Sequence, residues 1–440
     1  MNRFGWYLLI LSAFLLLGAD FILAQNPLIM DQFTADPTAR VFDGIMYVYP
    51  SHDIPASPGR GRANWFVMED YHVFSSESLT DWTDHGVILT QTDVPWLGRE
   101  SFDMWAPDCV SQNGKYYFYF PTGGRIGVAV AEKPYGPFKP EEQPINGVRG
   151  IDPCVFIDKD GTAYLYYSMN AIFVARLKDN MVELDSEVRR IADLPTEGLV
   201  EGPFVFERKG IYYLTYPHEV GGAERLEYAT GNGPMGPFEQ KGVIMDKSAS
   251  GCWTNHHSIV EYKGRWYLFY HDRDLSPDFD KNRSIKADYL FFNEDGTIQK
   301  VIPTHRGVGI SSALKEIQID RYSAISPEGV SVAFVDPVRK QNGWKAIMTA
   351  PDAWIQYNKV DFGEGKSRTV NVNASSSTGG KIEIRIDGMD GPLVAQVDIP
   401  NNTDWSMAKA MLSESPAGIH DLYVILKDAK NVGIDWIKFE

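Results

Sequence analysis

The 440-residue chain carries 58 acidic against 42 basic side chains, a formal net charge of −16. That balance excludes nucleic acid and anionic membrane surfaces as partners, because no basic patch is available to neutralise phosphate. Aromatic residues reach 13 %, with 11 Trp and 22 Tyr; β-rich cores use that many, and so do surfaces that stack on the C–H faces of sugars.

The first element in the chain reads as an export signal. Arg3 supplies a positive start, Tyr7 to Gly18 is almost wholly apolar, and Phe-Ile-Leu-Ala precedes Gln25. Cleavage after Ala24 is expected, with residues 1–24 as signal peptide and a secreted or periplasmic product. The run is short for a membrane span, and an uncleaved anchor is the alternative. Residues 25–440 suffice for two domains. Three cysteines, Cys109, Cys154 and Cys252, allow at most one bridge. Their apolar, strand-like contexts read as buried thiols.

From there a repeat sets the organisation. It is a glycine, two residues, a tyrosine and an alternating apolar tail: GIMYVYP from Gly44, GKYYFYFP from Gly114, GTAYLYYS from Gly161, GIYYLTYP from Gly210 and GRWYLFYH from Gly264. The starts are 70, 47, 49 and 54 residues apart. Each copy follows another short apolar run, so each unit predicts a strand, a turn and a second strand, and intervening segments such as GPMGPFEQKGVIM supply further hairpins. No amphipathic helix pattern interrupts them. Five four-stranded units close into a five-bladed β-propeller, expected over residues 25–310.

A polar residue stands ahead of each unit's first strand, in three units next to Pro: Asp36-Pro37, Asp152-Pro153 and Glu201-Gly202-Pro203. The second unit has Trp105-Ala106-Pro107-Asp108 and the fifth Asn255-His256-His257. Equivalent positions in a propeller surround one end of the channel, so five polar groups are expected to converge on one cavity. Converging carboxylates suit glycoside hydrolysis, which needs one protonated acid and one ionised base. Crowding supplies that asymmetry, because negative neighbours disfavour ionisation of one member. Clustered Asp and Glu also suit Ca²⁺.

The order Asp36 in TADPTARVFDGIMYVY, Asp152 in GIDPCVFIDKDGTAYLYY and Glu201 in VEGPFVFERKGIYYLTY resembles glycoside hydrolase family 43, as do DWTDHG, YGPF and NHHSIVEYKGRWYLFYH. The resemblance covers roughly residues 26–310. It implies an inverting enzyme with Asp36 as general base, Glu201 as general acid and Asp152 orienting that acid and raising its pKa. It also implies that Trp105 walls the sugar subsite and that Arg283 contacts sugar and base. His257 would serve the subsite and an axial cation, often Ca²⁺, held partly through water. A core Trp and a surface Arg are the plain readings of Trp105 and Arg283.

After Ile310 the pattern changes. Residues 311–315 read as linker, and 316–440 as a β-sandwich of short strands such as WIQYNKVDFG and GGKIEIRIDG. This stretch resembles a family 6 carbohydrate-binding module of jelly-roll type, through EIQIDRYS and VGIDWIKFE. The resemblance makes Gln318, Asp320 and Asp435 structural Ca²⁺ ligands, Trp344 and Trp405 a pair of sugar-stacking aromatics, and Asn431 their polar contact. The whole reading is an exo-acting enzyme on arabinoxylan or xylan, an α-L-arabinofuranosidase and/or β-xylosidase that needs no cofactor for chemistry. An endo-acting xylanase or arabinanase of the same fold, and a non-catalytic sugar-binding propeller, are the alternatives.

Overall fold

The computed structural model describes residues 26–440 except 337, 339–343 and 429–430. The expected signal peptide lies outside them. Apart from one 3₁₀ turn at Gln91–Asp93, the described residues form strands and connections, and no helix among them is long and apolar enough to cross a membrane.

The repeat's glycines explain the strands. Asp43-Gly44, Asn113-Gly114, Lys209-Gly210 and Lys263-Gly264 each hold two consecutive residues at positive φ, the backbone of a two-residue hairpin turn whose twist matches the strands it joins. The third unit uses a longer turn, Asp158 to Thr162, with Gly161 at φ 86°. Each hairpin then builds an antiparallel sheet in sequence order. Blade I is Phe33–Phe42, Ile45–Asp53, Asp70–Ser76 and Thr83–Thr90. Blades II, III and IV repeat this four-stranded order, starting at Asp108–Gln112, Ile151–Ile157 and Phe204–Arg208. Blade V is Ser258–Tyr262, Arg265–Asp272 and Ser284–Leu290.

The first strands of successive blades touch one another, and that of blade V touches that of blade I. The five sheets therefore form the expected closed propeller. Cores lie between blades and are rich in Tyr and Phe, as between blades I and II, where Tyr49, Tyr71, Phe118 and Phe120 are fully buried. Each such ring removes 150–250 Å² or so of surface from water, which holds neighbouring blades together. Closure is reinforced at the seam. Leu28 N–H donates to Ile285 O, so the first described residues lie along blade V's outer edge. The Asn26 side chain spans Ala287 and Thr304.

The sandwich packs two sheets of mostly aliphatic inward residues, among them Ile355, Val372, Ile384, Val424 and Ile434. Fully burying each is worth about 1.5–3 kcal/mol. The linker expected at 311–315 is instead part of this domain. Ser311–Ser312 pairs in parallel with Trp354–Asp361, and Ala313 sits in the sandwich core. Polar spelling misled there, because Ala313 is the one buried hydrophobic residue of 311–315, while Leu314 is exposed. Sandwich and propeller meet through fixed polar contacts: Arg306 donates to Asn358 O, Lys359 to the Tyr289 hydroxyl, and Arg321 to Asn26 O.

Candidate active site

Backbone strain aims the acids. Asp36 and Asp152 are not ahead of their strands but inside them, at φ 48° and 54°, where the register with the neighbouring strand shifts. A bulge of this kind re-aims a side chain, Asp tolerates the left-handed region better than most residues, and the following Pro needs no ladder partner. Such strain costs about 1–3 kcal/mol per residue and collects at functional sites. Blade IV uses Gly202 at φ 53°, so Glu201 stands one residue before the special position. A Cβ on Gly202 would lie 2.9 Å from His256 Nδ1 and from Pro217, which leaves no room for a side chain.

These devices bring Asp36, Asp152 and Glu201 to one pocket of about 170 Å³. Its other walls include Trp65, Phe66, Trp105, Trp253, Asn255, His256, Glu224 and Arg283. A larger cavity of about 890 Å³ lies among the blade II and III hairpins near Asn113 and Asp160, away from these acids. The smaller one carries the chemistry. Polar atoms without protein partners gather there: the Trp105 indole nitrogen and both side-chain atoms of Asn255 are buried and unpaired. Such groups call for water or ligand hydroxyls.

Asp36 is held ionised. Burial opposes its charge, but Arg283 donates to both its oxygens at 2.8 and 3.1 Å, and the Ser51 hydroxyl also donates to it; together they hold its pKa at about 2. Arg283 is fixed from behind by Asp53, which accepts from its Nε, Nη2 and backbone N–H at 2.8–2.9 Å, while Phe66 lies 4.7 Å from the guanidinium. His271 Nδ1 approaches Asp36 to 3.4 Å but accepts the Asp36 amide, and its Nε2 faces Thr254 O. The ring is therefore the neutral Nε2–H form, and burial and Arg283 hold its pKa at about 3. No ion pair exists there.

The remaining acids are pushed the other way. Burial raises Asp152 well above the carboxylate range, and Glu201 and Asp36 push it further. Burial also raises Glu201, with Asp36 adding to it, although the Glu224 carboxyl beside it and Arg283 pull it back. Glu224 is raised well above its ordinary value by burial and by Glu201. One ionised carboxylate thus faces a group that favours its protons.

The other expected positions divide. Trp105 and Arg283 line the pocket. His257 does not, and the expectation that it touches sugar is corrected: in the irregular segment before Ser258–Tyr262, Thr254, Asn255 and His256 line the wall and His257 turns into the interior. His257 is fully buried, its Nε2 2.6 Å from Thr215 Oγ1 and its Nδ1 without a protein partner. Asp108 also misses the pocket. It is spent on Arg40 at 2.7–3.0 Å and on the Val155 amide, pinning blades I, II and III together.

In the sandwich, Asp320 is buried and Asp435 half-buried, each raised by burial, and Asp320 pushes Asp435 further. Gln318 pairs with Trp436 beside them. Trp405 lies over Gly433 with Lys345 5.7 Å from its ring. Trp344 is exposed at a strand end, on the alternation side of Ala346 and Met348 rather than that of Lys345. Strand alternation therefore does not present the two rings as one facing pair. Asn431 is exposed, and its carbonyl accepts from Ser376. The three cysteines are free and buried.

Sequence reasoning missed Asp53, Ser51, His256, His271, Glu224, Trp65, Phe66 and Trp253. Only His256 and Trp253 carried a signal, through their place beside the fifth unit's polar motif.

A closed propeller with buried carboxyls of opposed protonation at one end of its channel defines a glycoside hydrolase. The model of glycosyl hydrolases family 43 matches residues 24–298, and that of carbohydrate-binding module family 6 matches 329–440. The chain belongs to family 43 and carries a family 6 module. Xylosidase/arabinosidase 43A of Humicola insolens is 39% identical over 326 residues, 62% of this chain and 98% of that protein. A β-xylosidase/α-arabinofuranosidase from a compost metagenome, solved with xylotriose in a calcium-free form, is 38% identical with a TM-score of 0.58, covering 64% of this chain and 98% of that one. Both domains are spanned by an arabinoxylan arabinofuranohydrolase from Bacillus subtilis, solved with cellotetraose: 27% identity, TM-score 0.58, 94% of this chain and 97% of that one.

Proposed function

We propose that the protein is an inverting, exo-acting glycoside hydrolase on xylan-type hemicellulose, releasing α-L-arabinofuranosyl branches and/or terminal β-xylosyl units. One observation carries this reading: across a pocket of about 170 Å³, Arg283 keeps Asp36 ionised while burial and the charge of Asp36 keep Glu201 inclined to protonation. In the proposed reaction Asp36 takes a proton from water as its oxygen attacks the anomeric carbon. The glycosidic C–O bond breaks, and Glu201 gives its proton to the departing oxygen. Asp152, whose carboxylate accepts the Gly202 amide beside Glu201 at 3.1 Å, orients the acid and raises its pKa. The small pocket and its aromatic walls favour a terminal ring over a polymer segment, and the named relatives support pentosyl substrates.

Calcium belongs to the proposal as a structural ion. The unpaired His257 Nδ1 fits one ligand of an axial cation, with water supplying most of the oxygens Ca²⁺ prefers. Asp320 and Asp435, both raised by burial and Asp435 also by Asp320, fit an oxygen-rich site with Gln318. Export follows from the apolar leader. Incubation with nitrophenyl arabinofuranoside, nitrophenyl xyloside and arabinoxylan tests the activity, with proton NMR of the first-formed sugar reading its anomer. Release of the inverted anomer is expected; a retained anomer, or no hydrolysis of either glycoside, overturns the assignment.

A further inference from the structure

Blade I carries a second group of chemistry-bearing side chains outside the pocket. His52 lies near the end of Ile45–Asp53, Asp70 opens Asp70–Ser76, and His72 follows two positions on, so alternation sets Asp70 and His72 on one face of their strand. The neighbouring Asp53 points the other way, to Arg283. One ligand-type atom from each of His52, Asp70 and His72 lies within 4.8 Å of the other two. The imidazoles meet edge to face, ring centroids 5.0 Å apart. His52 Nδ1 is 2.6 Å from Asp70 Oδ1, and His72 Nδ1 is 3.0 Å from both Asp84 oxygens. Asp84 is itself fixed by the Gly86 amide at 2.7 Å and by Gln32 Nε2 at 3.1 Å. The three side chains are 14–19 % exposed, open enough for an ion to enter.

Asp84 settles which nitrogen of His72 carries the proton: Nδ1–H points at the carboxylate, and Nε2 is left as a donor. Metal-binding histidines are held this way, with a carboxylate behind the ring. Asp70 and Asp84 together bring two negative charges, matching a divalent ion. Among the described residues the other seven histidines form no comparable group.

We infer that His52, Asp70 and His72 bind a divalent transition-metal ion, with water completing the shell. Two nitrogens and one oxygen suit Zn²⁺, Ni²⁺ or Cu²⁺ and not Ca²⁺, which takes oxygen. Bonds of about 2.0–2.1 Å put tetrahedral ligand atoms roughly 3.3 Å apart, so the side chains close in by small torsions. The ion ties the second strand of blade I to the third, one residue from the Asp53 that holds Arg283.

Equilibrium dialysis of the full chain against Zn²⁺, with Ca²⁺ in excess to occupy oxygen sites, tests this. One Zn²⁺ per chain is expected, retained by His257→Gln and weakened at least 100-fold by His72→Gln or His52→Gln. Asp84→Asn, which leaves the ligands in place, weakens binding about 10–100-fold. Co²⁺ substitution reads the ligand set without any mutation: a visible d–d spectrum free of thiolate charge transfer is expected. Zinc uptake unchanged in the two histidine variants, or none by the wild-type chain, overturns the site.

Discussion

The propeller and the sandwich are both nearly pure β-structure, yet they spend their interiors differently. The sandwich core is Ile, Val, Leu and Ala with few rings, and Asp320 is its only buried titratable acid among the described residues. The propeller buries Asp36, Asp53, Asp108, Asp152, Glu224 and Glu227, most of them paired with Arg283, Arg40 or a backbone amide. Both domains break strand alternation, the sandwich at Lys359, φ 50°, where Trp354–Asp361 shifts register. The propeller differs in placing acids at its breaks, Asp36 and Asp152, whose carboxyls line the pocket.

The largest expected effects test that contrast directly. Glu201→Gln and Asp36→Asn should each lose on the order of 10²-fold or more in kcat on aryl glycosides while circular dichroism stays unchanged; a sandwich variant such as Trp405→Ala should lose nothing on those substrates. Near-full activity in Glu201→Gln would remove it from the reaction.

Next comes the buried charge network. Arg283→Ala leaves Asp36 and Asp53 buried without their cation and should cost about 3–5 kcal/mol in denaturant unfolding of the propeller. The half-buried sandwich pair Arg385–Glu383 should cost about 0–1 kcal/mol when Arg385 is replaced by Ala. Equal losses would mean that the two domains do not differ as their interiors suggest.

The pH profile gives a smaller, signed effect. Glu201 must be protonated to act, so activity falls as pH rises through its raised pKa. Asp152 and Glu201 crowd one another as a pair in which ionisation of either disfavours ionisation of the other; Asp152→Asn ends that competition, makes Glu201 easier to ionise and moves the basic limb to lower pH. Asp36 runs the opposite way: its depressed pKa keeps the base ionised down to about pH 2, and the stability from its Arg283 pairing is lost only as pH falls through that value. A basic limb unmoved in Asp152→Asn would leave that residue a purely positional part.

Smallest is the module's contribution. Trp405→Ala should lower the rate on insoluble arabinoxylan a few-fold at most, because tethering raises effective substrate concentration without touching the pocket. Equal polymer rates in the two proteins would mean that the sandwich has kept its shape without its ligand.

Much of the fold was legible because Gly-x-x-Tyr marks a backbone event, the positive-φ turn, and the acids beside Pro mark another. What escaped lies where a side chain's facing decides its role. His256 and His257 are adjacent in an irregular segment ahead of Ser258–Tyr262, where no periodicity tells which one meets the pocket. Asp53 and Glu224 sit in strands whose spelling gives no hint of what lies opposite. Trp344 and Trp405 looked like a pair in sequence, but no spacing rule reports the alternation of two strands that are not neighbours in the sheet. The 311–315 segment read as linker because a two-residue parallel strand is too short to leave a pattern.

Asn26 has one more consequence, for the order of assembly. Its side chain is clasped by Ala287, 261 residues later, and by Thr304, and its carbonyl by Arg321 of the sandwich. As the chain emerges N-terminus first, its earliest described residues must wait, unpartnered, until nearly three hundred more have appeared. Blades II to IV can stack on their predecessors as they arrive, whereas the seam belongs to the slow, high-contact-order class of folding steps. Until blade V arrives, the waiting flank of blade I is where an unfinished chain is most exposed to a neighbouring copy, and Arg321, from the start of the sandwich, then fastens the seam shut.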